Sequence, residues 1–256
     1  YNEAVTLGAD TILSGSTITL NSTTDAASAG TQGLAITGNA VVNGGVGQTA
    51  RLAYFTVSGT SALTANGNNI TTSGLQTYSG AVTLADAVVT SYTFTSTATG
   101  DITFATTLNG ATTGSNAALI VNTSGNTIFA GVVGTPQSLA SITTDVGGTT
   151  QINGGRITTS GAQTYNEAVT LGADTILNTT NSAVSFANTL SNAAARSLTI
   201  NAGSGAITFT GAVGSGTALG AIALNNTGIT ILTSTVDAAS ITTDVGGTTQ
   251  INGGRI

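Results

Sequence analysis

Ten carboxylates are the side chains of this 256-residue chain best equipped for acid–base work: Glu3, Asp10, Asp25, Asp86, Asp101, Asp145, Glu167, Asp174, Asp237 and Asp244. Lys, His, Cys, Met and Trp do not occur. Without His or Cys there is no Ser-His-Asp triad, no thiol nucleophile and no nitrogen or sulfur ligand set for zinc or iron. Without Lys there is no Schiff base and no Walker-type phosphate grip. What remains is chemistry by carboxylates or Arg, such as polysaccharide cleavage by a pair of acids. The spacing argues against it. Glu3 with Glu167, Asp10 with Asp174, and Asp145 with Asp244 are single repeat positions seen twice, and a unique active site is not duplicated along a fibre. The acids are read as solvated turn residues that keep the surface charged. No catalytic, cofactor-binding or metal-binding residue is assigned, and no enzyme activity is expected.

Calcium would need the GGxGxDxUx nonapeptide that stacks Asp and carbonyl oxygens in some β-solenoids. The chain instead has DVGGTTQINGG, with Asp ahead of the glycines and no nine-residue recurrence. Four arginines, Arg51, Arg156, Arg196 and Arg255, carry all the side-chain positive charge, and each is expected to pair with an Asp of a neighbouring coil. Asn-Gly at Asn43, Asn66, Asn109, Asn153 and Asn252 marks tight turns, with room for stacked Asn amides that satisfy one another. Tyr1, Tyr78 and Tyr165 share one repeat position; a recurrent Tyr covers a core or stacks on a sugar, and packing is preferred.

The elements that would position these residues come from repetition. YNEAVTLGADTIL occurs at Tyr1–Leu13 and, unchanged, at Tyr165–Leu177, and ASITTDVGGTTQINGGRI occurs at Ala140–Ile157 and again at Ala239–Ile256. A looser copy from Ile70, ITTSGLQTYSGAVTLADA, matches the segment from Ile157. These define one continuous array, 1–77, 78–164 and 165–256, that reads as a window of a longer protein. Inside it, pairs such as Val169 and Leu171, Val184 and Phe186, Leu198 and Ile200, Ile207 and Phe209, Ile222 and Leu224, and Ile229 and Ile231 alternate with the period of half-buried strands. Glycine-bearing turns separate them. Phe186, Phe209, Ile231 and Ile251 follow one another at nearly constant spacing. An inner side chain that recurs at intervals of ~20–24 residues predicts an all-β solenoid, a parallel β-helix with one coil per interval. The alternative is a string of immunoglobulin-like β-sandwiches, one per repeat.

Composition sets the remaining limits. Only 5% of residues are charged, the net charge is -6, and 53 are Thr and 21 Asn. Nucleic acid and anionic membranes are bound chiefly through Lys and Arg clusters, so neither is an expected partner. No apolar run reaches the length of a membrane-spanning helix. Low charge leaves little repulsion between rods, and uncapped solenoid ends expose strand edges. Self-association end to end or laterally is therefore expected. The shortage of Lys and Arg and the lack of oxidisable Cys, Met and Trp suit long exposure outside a cell.

Read from Ile142 to Leu177, ITTDVGGTTQINGGRITTSGAQTYNEAVTLGADTIL resembles the Thr/Gly/Asn-rich repeat regions of bacterial surface proteins of the filamentous-haemagglutinin and autotransporter type. The resemblance is one of repeat grammar and covers essentially the whole chain. It implies a secreted β-helical stalk at the bacterial cell surface, serving in adhesion, biofilm or surface-fibre formation. The implied role is a structural segment of an extracellular fibre, sheath or adhesin stalk. A multivalent module binding surface glycans is the alternative.

Overall fold

Segments that alternate an apolar residue with Thr, Ser or Asn make strands with one dry and one wet side. In this chain they find partners by stacking coil on coil. A computed structural model describes residues 1–85, 91–112 and 114–256. Asp86 lies outside them. The fold is a β-solenoid of parallel strands with roughly 23 residues per turn, and the sandwich alternative is set aside.

Three ladders of side chains run along the rod, one per face. On the first face Thr24, Val46, Ile70, Phe94, Val121, Thr144, Tyr165, Phe186, Phe209, Leu232 and Ile251 stand in register, each one coil on from the last. The second face stacks Leu13, Ile36, Val57, Tyr78, Phe104, Phe129, Ile152, Leu171 and Asn192. The third runs from Leu20, Val42, Leu63 and Leu84 to the strand Leu108–Gly110, then through Val133, Ile157, Leu177, Ile200 and Leu224 to Thr243. Almost all the apolar members are fully buried in one continuous core. Aromatic rungs stack face on face: Tyr78, Phe104 and Phe129 at 5.4 and 5.7 Å, and Tyr165, Phe186 and Phe209 at 5.1 and 5.0 Å. These spacings lie just above the ~4.8 Å between paired strands, so each ring lies almost flat on the next.

The repeated motif does not keep its face. Tyr1 is hydrogen-bonded to Thr19 and Asn21 at the end of the third face, Tyr78 lies on the second and Tyr165 on the first. A second motif, faint in the sequence, behaves likewise. Val46-Gly47, Val133-Gly134 and Val213-Gly214, followed in turn by Leu52, Leu139 and Leu219 at one shared offset, sit on the first, third and second faces. From one repeat to the next the motif steps back by one face, and after three repeats it returns to the face on which it began. The three faces are thus interchangeable environments for one local structure.

That structure is visible in the ITTSGxQTY segments. Tyr165 donates its phenol proton to Gln163 Oε1 at 3.0 Å, while Gln163 Nε2 donates to the Asn178 carbonyl at 2.9 Å and to Thr159 Oγ1 at 3.2 Å. Tyr78 and Gln76 build the same network on another face, with the Thr95 carbonyl at 2.9 Å and Thr72 Oγ1 at 3.3 Å. Buried amide and phenol groups are thereby satisfied without water.

One strand departs from the expected register. In Ile229–Leu232 the inward residues are Thr230 and Leu232, and Ile231 faces outward. The sequence ITIL offers an aliphatic side chain to either side, so alternation alone cannot choose. Leu232 pairs with Phe209, and Thr230 donates to Asn226 Oδ1 at 2.8 Å; together they set the phase.

The Val-Gly corners predict a mutational contrast. Gly134 has φ of +68°, and a Cβ there would lie 1.9 Å from the Thr158 carbonyl oxygen of the next coil, whereas Gly216, at +90°, has open space around it. Gly216→Ala should cost only the left-handed strain of ~1–2 kcal/mol. Gly134→Ala should cost about 2 kcal/mol more, because the coils must part. Urea denaturation of both variants measures the difference.

Candidate functional site

A solenoid corner is where backbone N–H groups lose their ladder partners, and it is where the acids lie. Asp10 Oδ1 accepts the Gly33 N–H at 2.8 Å, Asp101 Oδ1 the Asn126 N–H at 2.7 Å, and Asp174 Oδ1 the Ser197 N–H at 2.9 Å. Asp25 Oδ1 takes two, from Thr49 and Ala50, at 2.9 and 3.1 Å. Each acceptor reaches one coil onward. Asp10, Asp101 and Asp174 lie between strands, as expected, whereas Asp25 lies within the strand Thr24–Ala26, and all four act as clips between coils. Asn39, Asn109 and Asn181 clip in the same way, accepting the N–H groups of Thr60, Thr135 and Ser204.

Glu167 and Asp145 depart from the expectation of solvated turns. Glu167 is 1% exposed, and its Oε1 accepts the Thr150 hydroxyl at 2.5 Å. The buried hydroxyls of Thr127 and Thr144 lie around it without reaching a close hydrogen bond, and Glu167 Oε2 and Asp145 Oδ1 are likewise buried without a close partner. The corner sequences explain the burial. Thr144 and Tyr165 are paired rungs of the first face, and Thr150 and Val169 are paired rungs of the second. The short Asn-Glu corner after Tyr165 turns Glu167 into the space between these faces. Desolvation pushes its carboxyl up to about 7; the neighbouring Asp145 charge adds to the rise, and the hydroxyls of Thr150, Thr127 and Thr144 oppose it. Burial also raises Asp145, against hydrogen bonds from the backbone of Thr123 and of Asp145 itself. The two acids are one coil apart in the chain, and that spacing within the exact repeats is the sequence signal that pairs them.

A raised carboxyl beside a second carboxylate has the composition of an acid–base pair. Here, however, Glu167 is sealed inside the rod, so solute has no direct approach to it. Among the described residues no group of three metal-ligating side chains converges. The consequence of the raised Glu167 carboxyl is a dependence of stability on pH.

The other singled-out residues are structural in their contacts. Tyr78 and Tyr165 are fully buried, so neither is offered to a ligand, while Tyr1 is exposed. Arg255 pairs with Asp237 of the preceding coil. Its internal counterpart Arg156 has Ser138 at the sequence position equivalent to Asp237, so that pairing belongs to one copy of the motif. Asn ladders occur on the outside: Asn2, Asn21 and Asn43 at 2.6 Å, and Asn178, Asn201 and Asn225 at 2.8 Å. Of the Asn-Gly positions, Asn43 is in a ladder and Asn109 is a clip.

Compared with known proteins, the chain matches no family model, no curated sequence and no solved structure. Its function is therefore argued from these contacts.

The Glu167 carboxyl gives a signed expectation. With a folded pKa of about 7 against an ordinary 4.5, the folded state holds the proton more tightly than the unfolded chain. The stability this provides is complete below pH 4.5 and is lost as pH rises to 7. Glu167→Gln should remove that slope, so that by pH 8 the variant is the more stable by on the order of 2 kcal/mol. Denaturation curves of both proteins from pH 4 to 8 measure it, and parallel profiles would contradict it.

Proposed function

We propose that the chain is a structural segment of a long extracellular bacterial surface fibre, sheath or adhesin stalk, similar in kind to the filamentous-haemagglutinin and autotransporter repeats, and that it works through length, stiffness and self-association. The observation that carries this reading is where the recurring polar residues go. Asp10 and Asp174 clip neighbouring coils, Glu167 and Asp145 are turned into a corner between coils, and Tyr78 and Tyr165 lie in the core. Most of the recurring acids and tyrosines are thus used for stacking, while Val146 and Val245, a single repeat position, face outward.

The outer surface suits the same role. Outward positions form rows on the first face, such as Thr71, Thr95 and Asn122, and Thr143, Thr164, Ser185 and Thr208. Such a surface is wettable but almost uncharged, so neighbouring rods repel one another weakly. The β-branched Thr also favours the strand conformation on the wet side, where packing cannot choose.

Antibodies raised against the 256-residue chain should label thin filaments on intact, unpermeabilised source cells in electron micrographs. Deletion of the coding segment should shorten or remove those filaments. Labelling confined to permeabilised cells would overturn the reading.

A further inference from the structure

Corner length distinguishes the Glu167 corner from its counterpart earlier in the chain. Val57 and Ser61 stand four positions apart, as do Tyr78 and Val82, which pair with them one coil on. Between corners of equal length there is no space for a side chain: Gly80 holds the place of Glu167, and a Cβ there would lie 2.4 Å from the Gly59 carbonyl oxygen. Tyr165 and Val169 are also four apart. Their partners Thr144 and Thr150, however, are six apart, as are Val121 and Thr127 one coil earlier. The surplus residues carry Val146 out to 84% exposure, and the room left on the inner side is the room that Glu167 enters. Asn166 fixes the entry by donating from Nδ2 to the Thr144 carbonyl at 2.7 Å.

That room is lined by oxygen. Glu167 Oε1 accepts the Thr150 hydroxyl, the hydroxyls of Thr127 and Thr144 face the same carboxyl, and half-buried Asp145 stands beside it as a second negative charge. Among the described residues, eight buried side-chain polar atoms have no close hydrogen-bond partner, and four of them meet here: Thr127 Oγ1, Thr144 Oγ1, Asp145 Oδ1 and Glu167 Oε2. Thr127, Thr144 and Glu167 are all fully buried. Buried oxygens ordinarily find a partner, and a buried carboxylate needs a compensating positive charge. None of the groups that act on the Glu167 carboxyl is basic. The corner is therefore a converging set of acceptors that lacks a cation.

We infer that this corner is a calcium site, in which the Glu167 carboxylate, Asp145 Oδ1 and the hydroxyl oxygens of Thr127, Thr144 and Thr150 surround one ion and join three successive coils from the inside. Among the described residues no third acid, and no His or Cys, joins the pair, so metals that favour nitrogen or sulfur find no ligand set. Calcium takes about six to eight oxygens in a flexible arrangement, and two carboxylates balance its charge. Magnesium demands a near-ideal octahedron and keeps several waters, which a corner closed by Glu167 does not admit. The site differs from the glycine-rich nonapeptide cage in drawing its donors from the inner side of the rod. A substrate has no approach to Glu167, but an ion can be enclosed as the coils stack.

The test uses the 256-residue chain at about pH 8, stripped with chelator and refolded from urea with or without calcium, so that access to the buried corner does not limit binding. Calcium at about 100 times its Kd should raise the unfolding temperature by about 5–10 °C, and dialysed protein should retain one calcium per chain. Asp25→Asn, at a clip remote from the corner, should keep the whole shift. Glu167→Gln should lose both the shift and the ion, and Asp145→Asn should move the titration to higher calcium. Magnesium should give little. Without calcium Glu167→Gln is the more stable protein at this pH; calcium should close that gap by stabilising the wild type alone. A wild type that calcium does not shift, a shift that survives Glu167→Gln, or an equal shift with magnesium overturns the inference. Such results leave the fibre reading untouched, because the site concerns how one rod is held together and not what the rod does.

Discussion

Everything in this molecule depends on in-register parallel stacking of one coil on the next. Most strands have only three to six residues, too few to be stable alone, and gain their hydrogen bonds from the coils above and below. Stacking brings like residues together, so one choice of side chain is repeated along a face. Flat aromatic stacks, Asn amide ladders and rows of Thr are three outcomes of that one rule. Corners are the weak points, and the chain closes them with carboxylates and amides that reach one coil onward.

The face-stepping of the repeats follows from the same constraint. A solenoid with three similar faces needs each motif to land on a face, not on a particular one. The repeats that begin at Tyr1, Tyr78 and Tyr165 are not whole numbers of coils, yet Gln76–Tyr78 and Gln163–Tyr165 make the same internal hydrogen bonds. Repeat length can therefore change by a strand at a time without breaking a ladder. Such tolerance fits a rod better than a binding site, which needs several faces in a set relation.

Much of this is legible in the residues. The spacing of Phe186 and Phe209 reveals the coil, and the strict alternation in Val184–Phe186 and Ile207–Phe209 reveals the inward side. Ile229–Leu232 is not legible, because its alternation allows two phases and a hydrogen bond to Asn226 decides. The burial of Glu167 is hidden because composition treats an acid as solvent-facing, whereas its depth is set by how few residues turn the corner after Tyr165. The Val-Gly corners are hidden because only Val, Gly and one later Leu recur, a faint signal until the faces are known.

The central claim is the register itself, and cysteine pairs in this cysteine-free chain test it most directly. Outward neighbours Thr164 with Ser185 on the first face, and Thr77 with Thr103 on the second, are paired across adjacent coils. Their Cα separation falls in the range a disulfide spans. The account predicts that both cysteine pairs close rapidly on oxidation in the folded monomer, while Thr164 with Thr208, two coils apart, does not. Failure of the adjacent pairs, or equal closure of the distant one, would contradict it.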